Sequence, residues 1–320
     1  MTTIDTKKPI KVLVIAGPTA VGKSAFALHA AREFDGEIIS CDSMQIYRGM
    51  DIGTAKPSEK ELAACPHHLI DIADPAEGFS AAKYAKLAKE AIKDTAGRGK
   101  LPIVCGGTGL YLDGILYEMD YGAGPANENI RKTLEERAKT EGPLPLHEEL
   151  KTLDPAAAEE IHPNNAKRII RALERLKLGE DGLRPFSSER RPYTDIDPLL
   201  IGLERPRDEL YDRINERVDA MMDAGLVKEV EALRSVGLDS ENIAMQAIGY
   251  KELFACLDGK MSLSDAVEKI KTGSRHYAKR QFTWFRRYDK MKWLDISSFE
   301  TETEAMRQMD GIVELWLRRP

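Results

Sequence analysis

One stretch limits this chain to very few folds. Gly17-Pro18-Thr19-Ala20-Val21-Gly22-Lys23-Ser24 fits the phosphate-loop pattern G-x-x-x-x-G-K-[ST]. It lies after the apolar run Val12-Leu13-Val14-Ile15-Ala16 and before the helix-like Ser24-Ala25-Phe26-Ala27-Leu28. A strand must therefore deliver the loop and a helix must leave it. Glycines let backbone N–H groups turn inward around phosphate oxygens, and the helix aims the positive end of its dipole at the same anion. Lys23 adds a full positive charge, and the Ser24 hydroxyl can reach a Mg²⁺ ion. An ordinary glycine turn would account for the glycines but not for Lys23 and Ser24 together. The chain is expected to handle a di- or triphosphate.

Apolar runs at 12–16, 37–40 and 102–105 alternate with helix-like stretches at 24–34 and 81–96. Such alternation implies a parallel sheet flanked by helices. Ligand groups then gather at the C-terminal ends of the strands. Three polar motifs fall there: the phosphate loop, Cys41-Asp42-Ser43-Met44-Gln45, and Gly106-Gly107-Thr108-Gly109. From about 117 to 198 the pattern changes. Gly122-Ala123-Gly124-Pro125 breaks the chain, 130–139, 144–150, 155–161 and 166–178 read as helices, and 179–198 reads as a loop. Leu199-Leu200-Ile201-Gly202-Leu203 then resembles a buried strand, with helices over 207–224, 226–236, 262–287 and 302–317. The expectation is an α/β fold: a P-loop NTPase-like parallel sheet flanked by helices, with a helical insertion domain. Residues 1–118 and 199–320 would form the core and 119–198 the insertion.

Of 320 residues 42% are hydrophobic and 31% charged, the profile of a soluble globular protein. No apolar stretch approaches the roughly 20 residues that span a bilayer. The polar start, 1–9, leads into no signal-peptide core. Cys41, Cys65, Cys105 and Cys256 are far apart and read as reduced thiols rather than a zinc site or disulfide framework. A cytoplasmic protein is expected. The net charge of −6 argues against a nucleic-acid partner, but its distribution argues the other way. Between 271 and 292 stand Lys271, Arg275, Lys279, Arg280, Arg286, Arg287, Lys290 and Lys292 against the single acid Asp289. Tyr277, Phe282, Trp284, Phe285 and Tyr288 are interleaved with them. Cations with aromatics suit RNA phosphates and bases. For Trp284 and Phe285 core packing fits equally well.

Asp42, just past the second strand, faces the phosphate loop across the expected cleft. There a carboxylate can bind Mg²⁺ or accept a proton from a nucleophile; the plainer alternative is a turn aspartate capping the next segment. Thr108 sits in a glycine stretch that fits either a site or a simple turn. Arg205, Arg207, Arg213 and Arg217 follow the late strand, and Arg213 and Arg217 share a helix face. That pair suits a pyrophosphate gripped bidentately, or ion pairs with Glu209, Asp212 or Glu216. His67-His68 reads as a loop or packing pair, since adjacent residues on an extended chain point apart.

Taken in order, the motifs resemble one family. The phosphate loop is followed by Asp42-Ser43-Met44-Gln45-Ile46-Tyr47, Met50-Asp51-Ile52-Gly53-Thr54-Ala55-Lys56-Pro57, His67-His68-Leu69-Ile70-Asp71 and Gly106-Gly107-Thr108-Gly109-Leu110-Tyr111. Further on come His162-Pro163-Asn164-Asn165-Ala166-Lys167-Arg168, Gln246-Ala247-Ile248-Gly249-Tyr250-Lys251-Glu252 and Tyr277-Ala278-Lys279-Arg280-Gln281-Phe282-Thr283-Trp284. This series closely resembles the bacterial tRNA dimethylallyltransferases, which prenylate N6 of adenosine 37 beside the anticodon. The resemblance implies that Gly17, Thr19, Ala20, Val21, Gly22, Lys23 and Ser24 hold the pyrophosphate of dimethylallyl diphosphate, with Mg²⁺ bridging through Ser24. It implies Asp42 as general base, with Thr108 and Arg217 beside it in catalysis and Arg213 on the diphosphate. It assigns to tRNA the residues Asp42, Ser43, Met44, Gln45, Thr108, Arg131, Lys167, Arg168, Arg171, Gln246, Gly249, Tyr250, Lys251, Lys279 and Arg280. A monomer acting on the anticodon stem-loop, away from any membrane, is expected.

Two other readings use the same loop. A small-molecule or nucleoside kinase would hold ATP there and use Asp42 on a hydroxyl acceptor, but it leaves the basic, aromatic region without a task. A switch or motor NTPase needs an apolar strand ending in an acid, whereas Pro102-Ile103-Val104-Cys105 ends at Gly106.

Overall fold

The computed structural model describes residues 8–119, 128–179 and 191–319. The chain opens with β1 (Ile10–Ala16), α1 (Lys23–Glu33), β2 (Gly36–Cys41), α2 (Glu59–Ala64), β3 (His67–His68), α3 (Ala81–Gly97), β4 (Leu101–Gly106) and α4 (Gly109–Leu116). Four helices follow, α5 (Glu128–Thr140), α6 (Pro143–Leu153), α7 (Pro155–Glu160) and α8 (Ala166–Lys177). The remainder is β5 (Ile196–Glu204), α9 (Arg207–Asp223), α10 (Leu226–Ser235), α11 (Tyr250–Leu257), α12 (Leu263–Phe285), β6 (Lys292–Asp295) and α13 (Glu302–Leu317). The chain divides into two compact units, Met1–Leu116 with Tyr193–Pro320, and Tyr117–Pro192.

All six strands are parallel, in the order β3-β2-β4-β1-β5-β6. Val12, Leu13, Val14 and Ile15 of β1 are all buried, as a strand covered on both faces requires. Register then builds the site. Ala16 of β1 and Cys41 of β2 both pair with Gly106 of β4, and Ala16 also pairs with Gly202 of β5. Residues 17, 42 and 107 therefore leave the sheet side by side, at strand spacings of about 4.8 Å. Phe26 and Ala30 of α1 and Met309 and Val313 of α13 cover Leu13, Ile15 and Ile201 in the main core. A second core joins Tyr47 and Met50 to Val230, Leu253, Phe254 and Ile270, on α10, α11 and α12.

The unit Tyr117–Pro192 has its own core, with Leu134, Leu146, Leu150, Ile169 and Leu173 fully or almost fully buried. Inside it Glu174, with no exposure, accepts from the Arg131 guanidinium at 2.9 and 3.1 Å and from Arg171 at 3.1 Å.

Several elements differ from expectation. β5 begins at Ile196, so residues 196–198, read as loop and placed in the insertion, pair with Ile10, Lys11 and Val12 of β1. Pro198 disguised that strand. β6 pairs with β5 only from Ile201 onward, so Pro198 lies where one edge is open and a missing N–H is tolerated. The short elements α2, α11 and β6 carried no periodic signal long enough to mark them. The break at Gly122-Ala123-Gly124-Pro125, and 180–190 of the expected loop, lie outside the described residues. His67 and His68 form the short edge strand β3, where His68 Nε2 meets Glu37 at 2.7 Å and His67 Nδ1 meets the Cys65 carbonyl at 2.9 Å. That is a packing role. The four cysteines are free thiols. No described helix is long and apolar enough to cross a membrane.

Candidate active site

The phosphate loop turns sharply between β1 and α1. Ala20 has φ 63° and Gly22 φ 112°, the left-handed region that favours glycine. Gly22 caps α1 without a side-chain hydrogen bond, so no side chain occupies the donors of the first helical turn. Three loop carbonyls are each met by a cation. Lys23 Nζ donates to Pro18 at 2.7 Å, Arg213 Nε to Ala20 at 3.0 Å and Arg205 Nε to Val21 at 3.1 Å. No anion arriving at the loop would meet these carbonyls unscreened. Val21 itself is buried in the main core, so only its backbone can serve a phosphate. Burial lowers the Lys23 ammonium to about 8; Cys105 and Asp42 oppose the fall and Arg217 adds to it. Burial also lowers the Arg217 guanidinium, against Asp42 and with Arg213. Positive charge is thus concentrated and poorly solvated, which favours a bound anion.

The loop opens on a polar cleft of about 690 Å³, lined by Thr19, Lys23, Ser24, Asp42, Arg213 and Arg217 among others. A cavity of about 340 Å³ adjoins it, with Ile214, Val218, Met221, Ala247 and Ile248 in its wall. Both include Thr19, Asp42, Thr54, Ala55, Arg217 and Tyr277. Asp42 and Arg217 stand where the polar and apolar spaces meet.

Asp42 caps a turn and also faces the cleft. Its Oδ1 accepts from the N–H of Met44 at 2.8 Å and of Gln45 at 3.4 Å, capping the turn, while the side chain lines both spaces. Thr108 lies behind it rather than in either wall. Its Oγ1 accepts from Ser43 N–H at 3.0 Å and its own N–H donates to Cys41 at 3.1 Å, fixing the Asp42 turn on the glycine-rich segment.

Packing sets the surroundings of the other assigned residues, of which Met44, Gly249 and Tyr250 border the apolar cavity. The Gln45 amide is turned inward, accepting from Ser40 Oγ at 2.8 Å and donating to the carbonyls of Thr54 and Ala55 at 3.2 and 3.1 Å. Tyr250, expected to touch RNA, is fully buried, its ring against Gly53 and its hydroxyl donating to Glu229 at 2.6 Å. Gly249 beside it is buried too, and Met44 packs against the second core. Arg131 and Arg171 are committed to Glu174, as described, whereas Lys167 and Arg168 are exposed. Gln246, Lys251 and Arg280 are exposed side chains at the apolar cavity, and Lys279 is exposed on α12.

The chain also resembles known proteins. A family model described as IPP transferase matches residues 45–288. The chain belongs to the IPP transferase family. Among its relatives, a tRNA dimethylallyltransferase of Bacillus subtilis is 48% identical over 294 residues, covering 92% of each chain. The crystal structure of the full-length tRNA isopentenylpyrophosphate transferase of Bacillus halodurans matches with TM-score 0.71 and 43% identity, over 95% of this chain and 96% of that one. A eukaryotic dimethylallyltransferase acting on tRNA matches with TM-score 0.81 and 31% identity, over 97% of this chain and 80% of that one. Three residues that hold the site together in this IPP transferase were given no role in the sequence reading. Glu229 accepts from the N–H groups of Asp51, Ile52 and Gly53 at 2.9, 2.7 and 3.2 Å. Lys56, almost buried, donates to the Tyr47 carbonyl at 2.7 Å and pairs with Asp51 and Asp71. Gln281 joins two loops across the site. Lys56 and Gln281 lay within quoted motifs without a role being drawn from them, and Glu229 lay in none.

Proposed function

We propose that this chain transfers the dimethylallyl group of dimethylallyl diphosphate to N6 of adenosine 37 in tRNA and releases pyrophosphate. The observation that carries the proposal is the junction itself, a carboxylate and an arginine between a phosphate loop and an apolar cavity rimmed by exposed cations. The diphosphate occupies the polar cleft, under the loop amides, Lys23 and Arg213. The flipped adenine enters from the cation-rimmed side. Flipping costs a few kcal/mol, and least in an already looped strand such as the anticodon loop.

An adenine amino lone pair is delocalised into the ring and attacks poorly. Asp42, through the oxygen not used for capping, takes the amino proton as the C–N bond forms, a contribution of about 10²–10⁴-fold. The allylic C–O bond breaks as charge grows on the leaving pyrophosphate, and Lys23, Arg213, Arg217 and the loop amides stabilise that charge. Ser24, exposed at the start of α1 and lining the polar cleft, would hold Mg²⁺. Among the described residues no cluster of three or more His, Cys, Asp or Glu can hold a metal alone. The donor set fits Mg²⁺ taken with a diphosphate, because that ion commonly keeps few protein ligands alongside phosphate oxygens and water. When bound it would neutralise charge on the leaving group. The enzyme would act as a monomer, in the cytoplasm where tRNA is found.

The test is incubation with Mg²⁺, radiolabelled dimethylallyl diphosphate and unmodified tRNA, followed by counting label in the RNA. Label that vanishes when adenosine 37 is replaced supports the reaction and its site. Absent label would overturn the transfer reading.

A further inference from the structure

β1 and β4 pair as far as Ala16 and Gly106, and then both strands become loops. One side chain continues the pairing. Gln281 of α12 is 4% exposed; its Oε1 accepts from Thr19 N–H at 2.8 Å and its Nε2 donates to the Gly107 carbonyl at 2.9 Å. A side-chain amide has the donor and acceptor of a peptide unit, so Gln281 acts as one more rung between the phosphate loop and the glycine-rich loop. Gly107 has no side chain in the way: a Cβ there would lie 2.1 Å from the Gln281 Nε2. The neighbouring turns of α12 lock the same seam. Tyr277 interacts with Thr108, Trp284 packs on Gly109, and the Tyr288 hydroxyl just beyond donates to Asp113 at 2.6 Å. Lys279 and Arg280, between these positions, are exposed.

We infer that Gln281 is a positioning residue for the diphosphate. It fixes Thr19, and through it the phosphate loop, before substrate arrives, so that the anion does not have to organise its own site. The inference rests on the dimethylallyl-transfer reading and names a residue acting through the loop rather than on the reacting atoms. Gln281→Met keeps the length and removes both bonds. The expected result is a rise of about tenfold or more in the Kd of inorganic pyrophosphate and in the KM of dimethylallyl diphosphate, with tRNA Kd within about twofold of the parent. If Gln281→Met does not fold, Gly107→Ala, whose new methyl would push the amide aside, is measured in the same way.

Pyrophosphate Kd and KM unchanged in the folded variant would overturn the inference. So would a lower kcat at unchanged KM, the mark of a smaller active fraction, or an equal loss of pyrophosphate and tRNA affinity. A parent enzyme that binds pyrophosphate but puts no label into tRNA sinks the transfer reading, while the pyrophosphate comparison still decides the role of Gln281.

Discussion

Asp42 divides its two oxygens between holding a turn and facing the site. That division guides the choice of substitution. Alanine would remove the cap on Met44 as well as the base, whereas Asp42→Asn keeps an acceptor oxygen and removes only the basicity. Asp42→Asn should lower kcat by about 10²–10⁴-fold with tRNA Kd nearly unchanged, measured by label transfer and filter binding. An equal loss of both would mean that the residue places RNA instead. Lys23 supplies a pH signature. Its ammonium, lowered to about 8 in the empty site, loses its charge above that pH, so a bound anion must restore the proton. Pyrophosphate affinity should weaken above pH 8, by at most about tenfold per pH unit, and calorimetry on Lys23→Met should lack that component. The linkage to stability has the opposite sense. The charged lysine destabilises the empty fold below pH 8, and that cost fades as pH rises toward 10.5, because only the unfolded chain then keeps the proton.

Among the elements, the segment from Met50 to Pro57 shows how a motif can be functional without supplying a reactive group. Thr54 and Ala55 line both spaces, and Ala55 adopts φ 49°. A conformation that alanine seldom takes persists only where surroundings hold it. Gln45 grips the two carbonyls, Lys56 ties the segment to Tyr47 and Asp71, and Glu229 caps three consecutive amides from α10. Glu229→Ala should destabilise the fold by about 1–3 kcal/mol in urea melts, and should raise KM for both substrates more than it lowers kcat. Unchanged KM values would show that the segment holds its form without Glu229. On α12 the stripe at 277, 281 and 284, continued by Tyr288 just beyond its end, faces the glycine-rich loop and α4, which explains aromatics among cations. Trp284 and Phe285 are packing residues, whereas Lys279, Arg280 and Arg286 are exposed, as the proposed RNA contact requires.

Across the whole molecule, strand register does what no single motif does, since it puts residues 17, 42 and 107 in one row although they are far apart in the chain. The net charge of −6 and the cationic rim then coexist without conflict, because between residues 271 and 292 Asp289 is the single acid and the rest of the acids lie elsewhere in the chain. Lys279→Ala and Arg280→Ala should each weaken tRNA binding and lower the slope of log affinity against log salt by about 1. An unchanged slope would move the RNA surface away from α12.

Short-range chemistry was enough to read the phosphate loop, the alternation of strand and helix, Asp42 at a strand end and the basic, aromatic stretch. Each is a pattern that one segment carries within itself, through periodicity, turn chemistry or charge. The ordered motifs were enough to place the chain in its family. Burial and pairing decided the rest. Thr19 meets Gln281 across 262 residues and Ile52 meets Glu229 across 177, and no local period encodes such bonds. The family resemblance assigned both Tyr250 and Arg280 to tRNA, yet Tyr250 is buried beside the apolar cavity and Arg280 is exposed at it. A side chain's polarity is a property of the residue; its partner is set by the register and packing of segments that meet only in the folded chain.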